Sequence, residues 1–406
     1  MMSAAPTLVS RLKALQCHFT WDLDLSRSLL LHCRDNLLDI GTENGNPWLG
    51  HIYNMRGFIH CKVGFIEDDQ SFFDKATEAF SQIKNTECEA YLSKIDALNT
   101  KYPSPSQGEL HPETYAEKAY TLMMFNGDIS LVADYIQKAI KMQPDNLEWN
   151  SWHVLALLYA SKQSRRGLGH DIFEKMKIAQ EQDPENLYLA AQYLFQRAKR
   201  EKSIEDEARE LATKVLSSPV SSYSGLRPLL LVYRKYISVD EAIVLAEEVL
   251  KNHPDERYLK RLAASCYYEG RLFFIDSPQW KNMLDRAISL HEEVIALYPH
   301  SSLMRNIHLA MIYAESRDSK AKAEPIYQGL LKSDLEPAGK QVLFNMYANY
   351  LYSQRQGRNI RYHMDAAKIQ HQSVFRKNSI KVLENIRDKG RHSMCGKITT
   401  FLANLQ

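Results

Sequence analysis

The chain is poor in the residues that turn a backbone sharply. It has 16 Gly and 14 Pro among 406 residues. That scarcity argues against an all-β protein held by many tight turns, and against long disordered tracts. It lacks a C-x-x-C pair: its six Cys stand apart at 17, 33, 61, 88, 266 and 395. Scattered cysteines in a chain this long read as reduced thiols of a cytosolic protein, not as a disulfide framework. No apolar run reaches the roughly 18 residues of a membrane span. The opening MMSAAPTLVSRLKALQ has no apolar core of about 7–15 residues, so no secretory signal is expected. Bulk charge is nearly absent at +2 and names no partner. What remains is ordinary for a soluble fold, with 45% hydrophobic and 25% charged residues. The length allows two to four units or one continuous array.

Signs of chemistry are also missing. Gly390-RHSMC-Gly396-Lys397-Ile398 imitates a phosphate loop, but it has one residue too many between its glycines. Ile398 also stands where a magnesium-binding hydroxyl is needed. There is no G-x-S-x-G and no H-E-x-x-H. His18, His51 and the His60–Cys61 pair have no second cluster to complete a metal site. These absences predict a protein that is not an enzyme and needs no cofactor or metal.

The sequence is helical almost throughout, with apolar residues three and four apart and no strand-like alternation. Pro144, Pro184, Pro219, Pro254, Pro299 and Pro337 each close an amphipathic segment, at intervals of 40, 35, 35, 45 and 38. Three of the stops share a local grammar: KMQPDN, EQDPEN and KNHPDE. Proline cannot continue a helix, because it lacks the N–H and clashes with the preceding turn. A small or β-branched residue stands five before the proline at Ala139, Ala179, Val249 and Val294. In VDEAIVLAEEVLKNHPD, Ala242 takes the close helix contact while Val249 and Leu250 face inward.

This is the spacing of tetratricopeptide repeats, helical hairpins of about 34 residues that bury a core only by stacking. The fold expected is all-α, a tetratricopeptide-repeat α-solenoid superhelix of stacked helix-turn-helix pairs. First helices are predicted near His111, Asn146, Asn186, Ser222, Arg257, Ser301 and Ala338. Second helices are predicted near Ile129, His170, Glu205, Val239, Lys281, Ser319 and Gly357. RLFFIDSPQW reads as an insertion in the longest interval. The divisions expected are an N-terminal helical subdomain (1–110) with one incomplete repeat, a central array (111–337) and a C-terminal basic helical segment (338–406).

Charge is placed unevenly. From Ser353 to Gln406 there are 11 Lys/Arg against 3 Asp/Glu, and the rest of the chain is mildly acidic. Arg376, Lys377, Lys381, Arg387, Lys389 and Arg391 make a basic helix, with Lys377 and Lys381 on one face. Such a helix either meets phosphate or an acidic protein face, or is simply a solvated exit helix.

The string Cys17-His18-Phe19-Thr20-Trp21 resembles the opening helix of the interferon-induced proteins with tetratricopeptide repeats. TYAEKAYTLM, YIQKAIKMQPDN, SYSGLRPLLLVYRKYISVDEA, LAASCYYEG and FRKNSIKVLENI follow in register. The resemblance implies a cytosolic antiviral effector of innate immunity that sequesters rather than catalyses. It would bind single-stranded viral or non-self RNA by its 5′ end in a basic cavity. Implied partners are that RNA, family members or other host proteins through the repeat surface, and a second copy of the chain as a homodimer, with no membrane.

By the same resemblance Tyr188 and Arg227 match cavity residues, Arg261 replaces a histidine, and Tyr120 replaces a tryptophan. Arg376, Lys377, Lys381 and Arg387 would help line the channel. Met124, Asn36, Ile40 and Tyr159 stand where polar or cationic groups of the cavity are lost, which leaves a triphosphate pocket incomplete. A helix before Tyr91–Lys101 is missing near Ala90, so Ser71–Tyr102 could run as one long helix. The alternative that stays open is a protein-binding scaffold or adaptor in antiviral signalling, with Tyr188 in the core and the arginines at the surface.

Overall fold

The computed structural model describes residues 21, 23, 27–40, 49–86, 111–125, 129–163, 168–200, 203–270, 279–297, 303–316, 318–371, 373–390 and 393–405. Among them the chain forms nineteen α-helices and no strand. No helix among the described residues is long and apolar enough to cross a membrane. The CHFT residues before Trp21, the stretch around Ala90, residues 271–278 of the expected insertion including Pro278, Pro299 and Arg391 lie outside the described residues.

The helices fall into two compact units, Met1–Leu245 and Ala246–Gln406. The first holds α1 (Arg27–Ile40), α2 (Leu49–Glu67), α3 (Gln70–Thr86), α4 (Pro112–Met124), α5 (Ile129–Met142), α6 (Leu147–Gln163), α7 (His170–Gln182), α8 (Leu187–Arg197), α9 (Glu205–Leu216) and α10 (Leu226–Val232). A π-helical turn, Tyr233–Ile237, follows α10. The chain passes between the units within α11 (Val239–Asn252). The second unit holds α12 (Arg257–Gly270), α13 (Gln279–Leu297), α14 (Leu303–Glu315), α15 (Ala323–Lys332), α16 (Pro337–Ser353), α17 (Asn359–Lys368), α18 (Val374–Lys389) and α19 (Cys395–Ala403).

Neighbouring helices pack in sequence order. Alternate ones also touch, as α8 does α10, α14 does α16 and α16 does α18. That double adjacency is how stacked hairpins join into one core. The proline grammar explains the joints. Pro144 follows the end of α5, and the next residue but one, Asn146, caps α6 by accepting from the Trp149 N–H at 3.1 Å. Pro184 follows α7, and Asn186 caps α8 through the Leu189 N–H at 3.0 Å. One Pro-x-Asn thus stops a helix and satisfies a donor that the next helix start leaves orphaned. Asp183 adds a cross-link, accepting from Ser151 at 3.1 Å and Asn186 at 3.0 Å. The small residues before the prolines are buried as expected: Ala139, Ala179, Val249 and Val294, together with Ala242 and Leu250.

Most predicted starts fall within two residues of the observed ones; those at Ser222 and Ser319 fall four residues early, the latter because a 3-10 turn, Lys320–Lys322, precedes α15, and the part played by Pro337 also differs. Pro337 does not close a helix; it opens α16 as its first residue, where a missing N–H is harmless. The helix predicted from Ser222 begins at Leu226 instead, because Ser221–Gly225 is a turn whose Gly225 has φ +87°. Gly390, taken from the phosphate-loop look-alike, ends α18 in the left-handed conformation at φ +61°. Cys33, Cys61, Cys266 and Cys395 are free thiols. Burial pushes the Cys33 thiol up to about 12.

Candidate nucleic-acid interface

In the first unit, one aromatic chain runs through residues far apart in sequence. Tyr120 on α4 meets Trp152 on α6 edge-on, with ring centres 6.0 Å apart. Trp152 meets Tyr223 at 5.3 Å, and Tyr223 meets Tyr188 on α8 at 5.4 Å, both edge-on. The Tyr188 hydroxyl then lies 2.5 Å from that of Tyr159 on α6, and Gln192 Nε2 donates to it at 3.3 Å. Edge-to-face packing suits the ring quadrupoles and gives each ring a fixed angle.

Tyr223 is held by two ties. Its own N–H bonds to Ser221 Oγ at 3.1 Å, and the neighbouring Ser222 N–H donates to the Asp39 carbonyl of α1 at 2.9 Å. The Cys33 thiol of α1 donates to the Met124 carbonyl at the end of α4 at 3.0 Å. The N-terminal helices therefore close over the aromatic chain, and α1, α2 and Tyr120 share one core cluster with Trp152 and Tyr223 at its border.

Arg227 joins this assembly through a glycine. A Cβ at 225 would stand 2.5 Å from the Leu187 carbonyl oxygen and 3.3 Å from the Tyr188 N. Only a residue without a side chain lets the turn lie so close to the start of α8, and its positive φ demands the same. Two residues later Arg227 is exposed on α10. Its guanidinium favours ionisation of the Tyr159 phenol. The net shift of that phenol is nonetheless strongly upward, from burial first and then the Tyr188 hydroxyl. Among the described residues no carboxylate pairs with Arg227.

The remaining predicted residues are placed as follows. Tyr120 is 7% exposed, buried at the end of the aromatic chain against Trp152 and not presented to a ligand; burial, then Glu117 and Cys33, push its hydroxyl upward. Arg261, in the second unit, is half-buried on α12 with its guanidinium 5.2 Å from the Tyr258 ring centre. Arg376 donates its Nε to the Ala367 carbonyl at 2.9 Å, which joins α18 to the end of α17. Arg387 pairs with Asp388 at 2.8 Å. Lys377 and Lys381 are both exposed. Of the positions where the resemblance loses cavity groups, Ile40 is buried and Tyr159 has become the hydrogen-bond partner of Tyr188. Trp152 and Tyr223 carry no sequence motif that marks them for the site. Tyr223 is legible only as the aromatic of SYSGLRP, two residues before the glycine.

Stacked helical hairpins with Pro-x-Asn joints make this a tetratricopeptide-repeat protein. The chain is related over most of its length to the interferon-induced proteins with tetratricopeptide repeats. A mouse relative, interferon-induced protein with tetratricopeptide repeats 2, is 23% identical over 95% of this chain and 88% of its own. The human antiviral innate immune response effector IFIT1 is 20% identical over 92% of this chain and 86% of its own. Solved structures agree in fold. A human IFIT1 dimer with PPP-AAAA superposes with a TM-score of 0.63 at 20% identity, covering 98% of this chain and 96% of that one. The IFIT1 dimer with m7Gppp-AAAA gives 0.65 over the same shares. No protein-family model matches the chain.

Proposed function

We propose that this protein is an antiviral effector that binds the 5′ end of single-stranded, non-self RNA and withholds it from other machinery. It acts in the cytoplasm by binding, not catalysis. The observation that carries the reading is the exposed Arg227 beside the Tyr159–Tyr188 pair, with no carboxylate among the described residues to neutralise it. An unpaired guanidinium suits phosphate, and a half-buried tyrosine beside it suits a base. Arg261, Lys377 and Lys381 supply further positive charge along the chain, and Tyr120 anchors the aromatic chain at its buried end. The relatives support the reading, since IFIT1 is called an antiviral effector and has been solved with triphosphate and capped oligonucleotides.

The test is binding of triphosphate, monophosphate and capped single-stranded RNA across a salt series, repeated with Arg227→Glu and with Arg261→Glu. Affinity is expected to fall steeply with salt, and each charge reversal to weaken binding at least tenfold. If the wild-type chain bound none of these RNAs, or bound them without regard to salt, the scaffold alternative would take over.

A further inference from the structure

The far ends of α8 and α10 carry a second cationic cluster. Lys199 lies just past α8 with its ammonium 4.6 Å from the Phe195 ring centre. Arg200 lies 4.2 Å over Phe173 and donates to the Gln196 and Leu168 carbonyls at 3.0 and 3.3 Å. Lys235, in the π-helical turn after α10, approaches the same Phe195 ring at 5.9 Å. Tyr236 beside it is exposed and meets Phe195 edge-on at 6.0 Å. The nearby Arg197 is already neutralised by Glu207 at 2.6 Å. Among the described residues no carboxylate pairs with Lys199, Arg200 or Lys235. Burial, then Arg200 and Lys235, hold the Lys199 ammonium below the usual lysine value.

Rings under the cations hold them in place without cancelling their charge. Three like charges gathered with no counter-charge among the described residues repel one another, and that cost is relieved by an anion. The π-helical turn widens the backbone where Lys235 and Tyr236 project, a distortion that recurs at functional sites. α8 and α10 lie side by side, with Tyr188 and Arg227 at one end and this cluster at the other. Eleven residues separate Tyr188 from Lys199, about 16 Å along a helix.

We propose that Lys199, Arg200 and Lys235, with Tyr236, form a second subsite that grips the phosphate backbone of single-stranded RNA downstream of its 5′ end. Cations interleaved with an exposed ring fit a strand of phosphates and bases; an acidic peptide would need only the charge. The subsite deepens the 5′-end reading, and rests on it for the direction in which the strand runs.

The whole chain is tested with Lys199→Gln and Lys235→Gln combined, and with Lys235→Gln alone in case the pair unfolds. The probes are a 5′-triphosphate dinucleotide and a 5′-hydroxyl single-stranded RNA of about 20 nucleotides, at about 150 mM salt. The paired variant is expected to bind the long RNA about tenfold more weakly, with a salt slope smaller by about 1.4. The dinucleotide is expected to change less than twofold. Arg227→Glu should do the reverse. Equal loss for both probes, an unchanged salt slope, or equal competition by poly-glutamate overturns the proposal. If the wild-type chain ignored the dinucleotide but bound the long RNA through these lysines, the 5′-end function would fail and the subsite would stand. If it bound neither, both would fall.

Discussion

The two units each contain a tyrosine cluster, and the clusters differ in what surrounds the hydroxyls. In the second unit, Tyr327 packs against Tyr347 and Tyr350 at 4.9 and 4.8 Å, and Tyr347 meets Tyr362 edge-on at 4.7 Å. There the Tyr347 and Tyr313 hydroxyls have carboxylates, while that of Tyr327 is buried with no hydrogen-bond partner among the described residues. Tyr347 donates to Glu324 at 2.7 Å, Gln328 donates to the same oxygen at 2.8 Å, and Tyr313 donates to Glu292. Burial, then the Glu324 bond, push the Tyr347 phenol upward. In the first unit the Tyr159 and Tyr188 hydroxyls bond to each other, and the charge beside them is the exposed guanidinium of Arg227. Counting tyrosines therefore says nothing about nucleic acid. A carboxylate beside the rings takes up the Tyr347 O–H and would repel phosphate. A guanidinium beside them leaves a donor for it.

That contrast can be broken by mutation, most strongly at the joint that creates it. Gly225→Val puts a branched side chain at φ +87° against the Leu187 carbonyl. Unfolding in urea is expected to show a loss of about 3 kcal/mol or more, with RNA affinity lost as Arg227 is displaced. Glu324→Ala should cost about 2 kcal/mol in the same assay by removing the charged acceptor of the Tyr347 O–H, while Gln328 keeps its 2.9 Å bond to the Tyr347 oxygen, yet leave RNA binding unchanged. An RNA effect there would erase the distinction between the clusters. Asn186→Ala removes the cap at the start of α8 and should cost about 1 kcal/mol. Tyr159→Phe should cost somewhat less, about 0.5–1 kcal/mol, and alter RNA binding more than stability by freeing the Tyr188 hydroxyl.

Acid provides a milder probe that touches both units. His60 in the first unit, and His291 and His363 in the second, are each lowered to about 4, mainly by burial. His363 sits 3.2 Å from Ser379 Oγ, which also accepts from Asn345 at 2.7 Å. A histidine kept neutral in the folded state binds its proton more readily when unfolded. Stability should thus be full above about 6.5, the ordinary histidine value, and fall as pH drops toward 4. Thermal melts across that window check this, and His363→Asn should flatten the second unit's share.

Much of the fold was legible because its causes are local. Pro144, Pro184 and Pro254 stop helices by their own covalent geometry, and Asn146 and Asn186 cap within three residues. The hairpin boundaries at those joints follow from such residues alone. Pro337 was misassigned because a proline reads alike just after a helix and at the first position of the next. The turn before α10 was missed because Gly225 owes its conformation to Leu187, 38 residues away. The candidate site was legible in part. Tyr188 and Arg227 stand out through resemblance, whereas the Trp152–Tyr223 link that joins Tyr120 to Tyr188 depends on contacts across the first unit. Arg376 shows the opposite case, where a basic residue in a basic helix donates its Nε to a carbonyl of α17.

The sequence by itself determined that this chain is a run of helical hairpins, because turn, cap and close-contact residues act over a few positions. Only the tertiary structure decided which tyrosines meet a carboxylate and which stand beside an arginine. The sign of a side chain's surroundings is set by helices that are distant in sequence and adjacent only once packed.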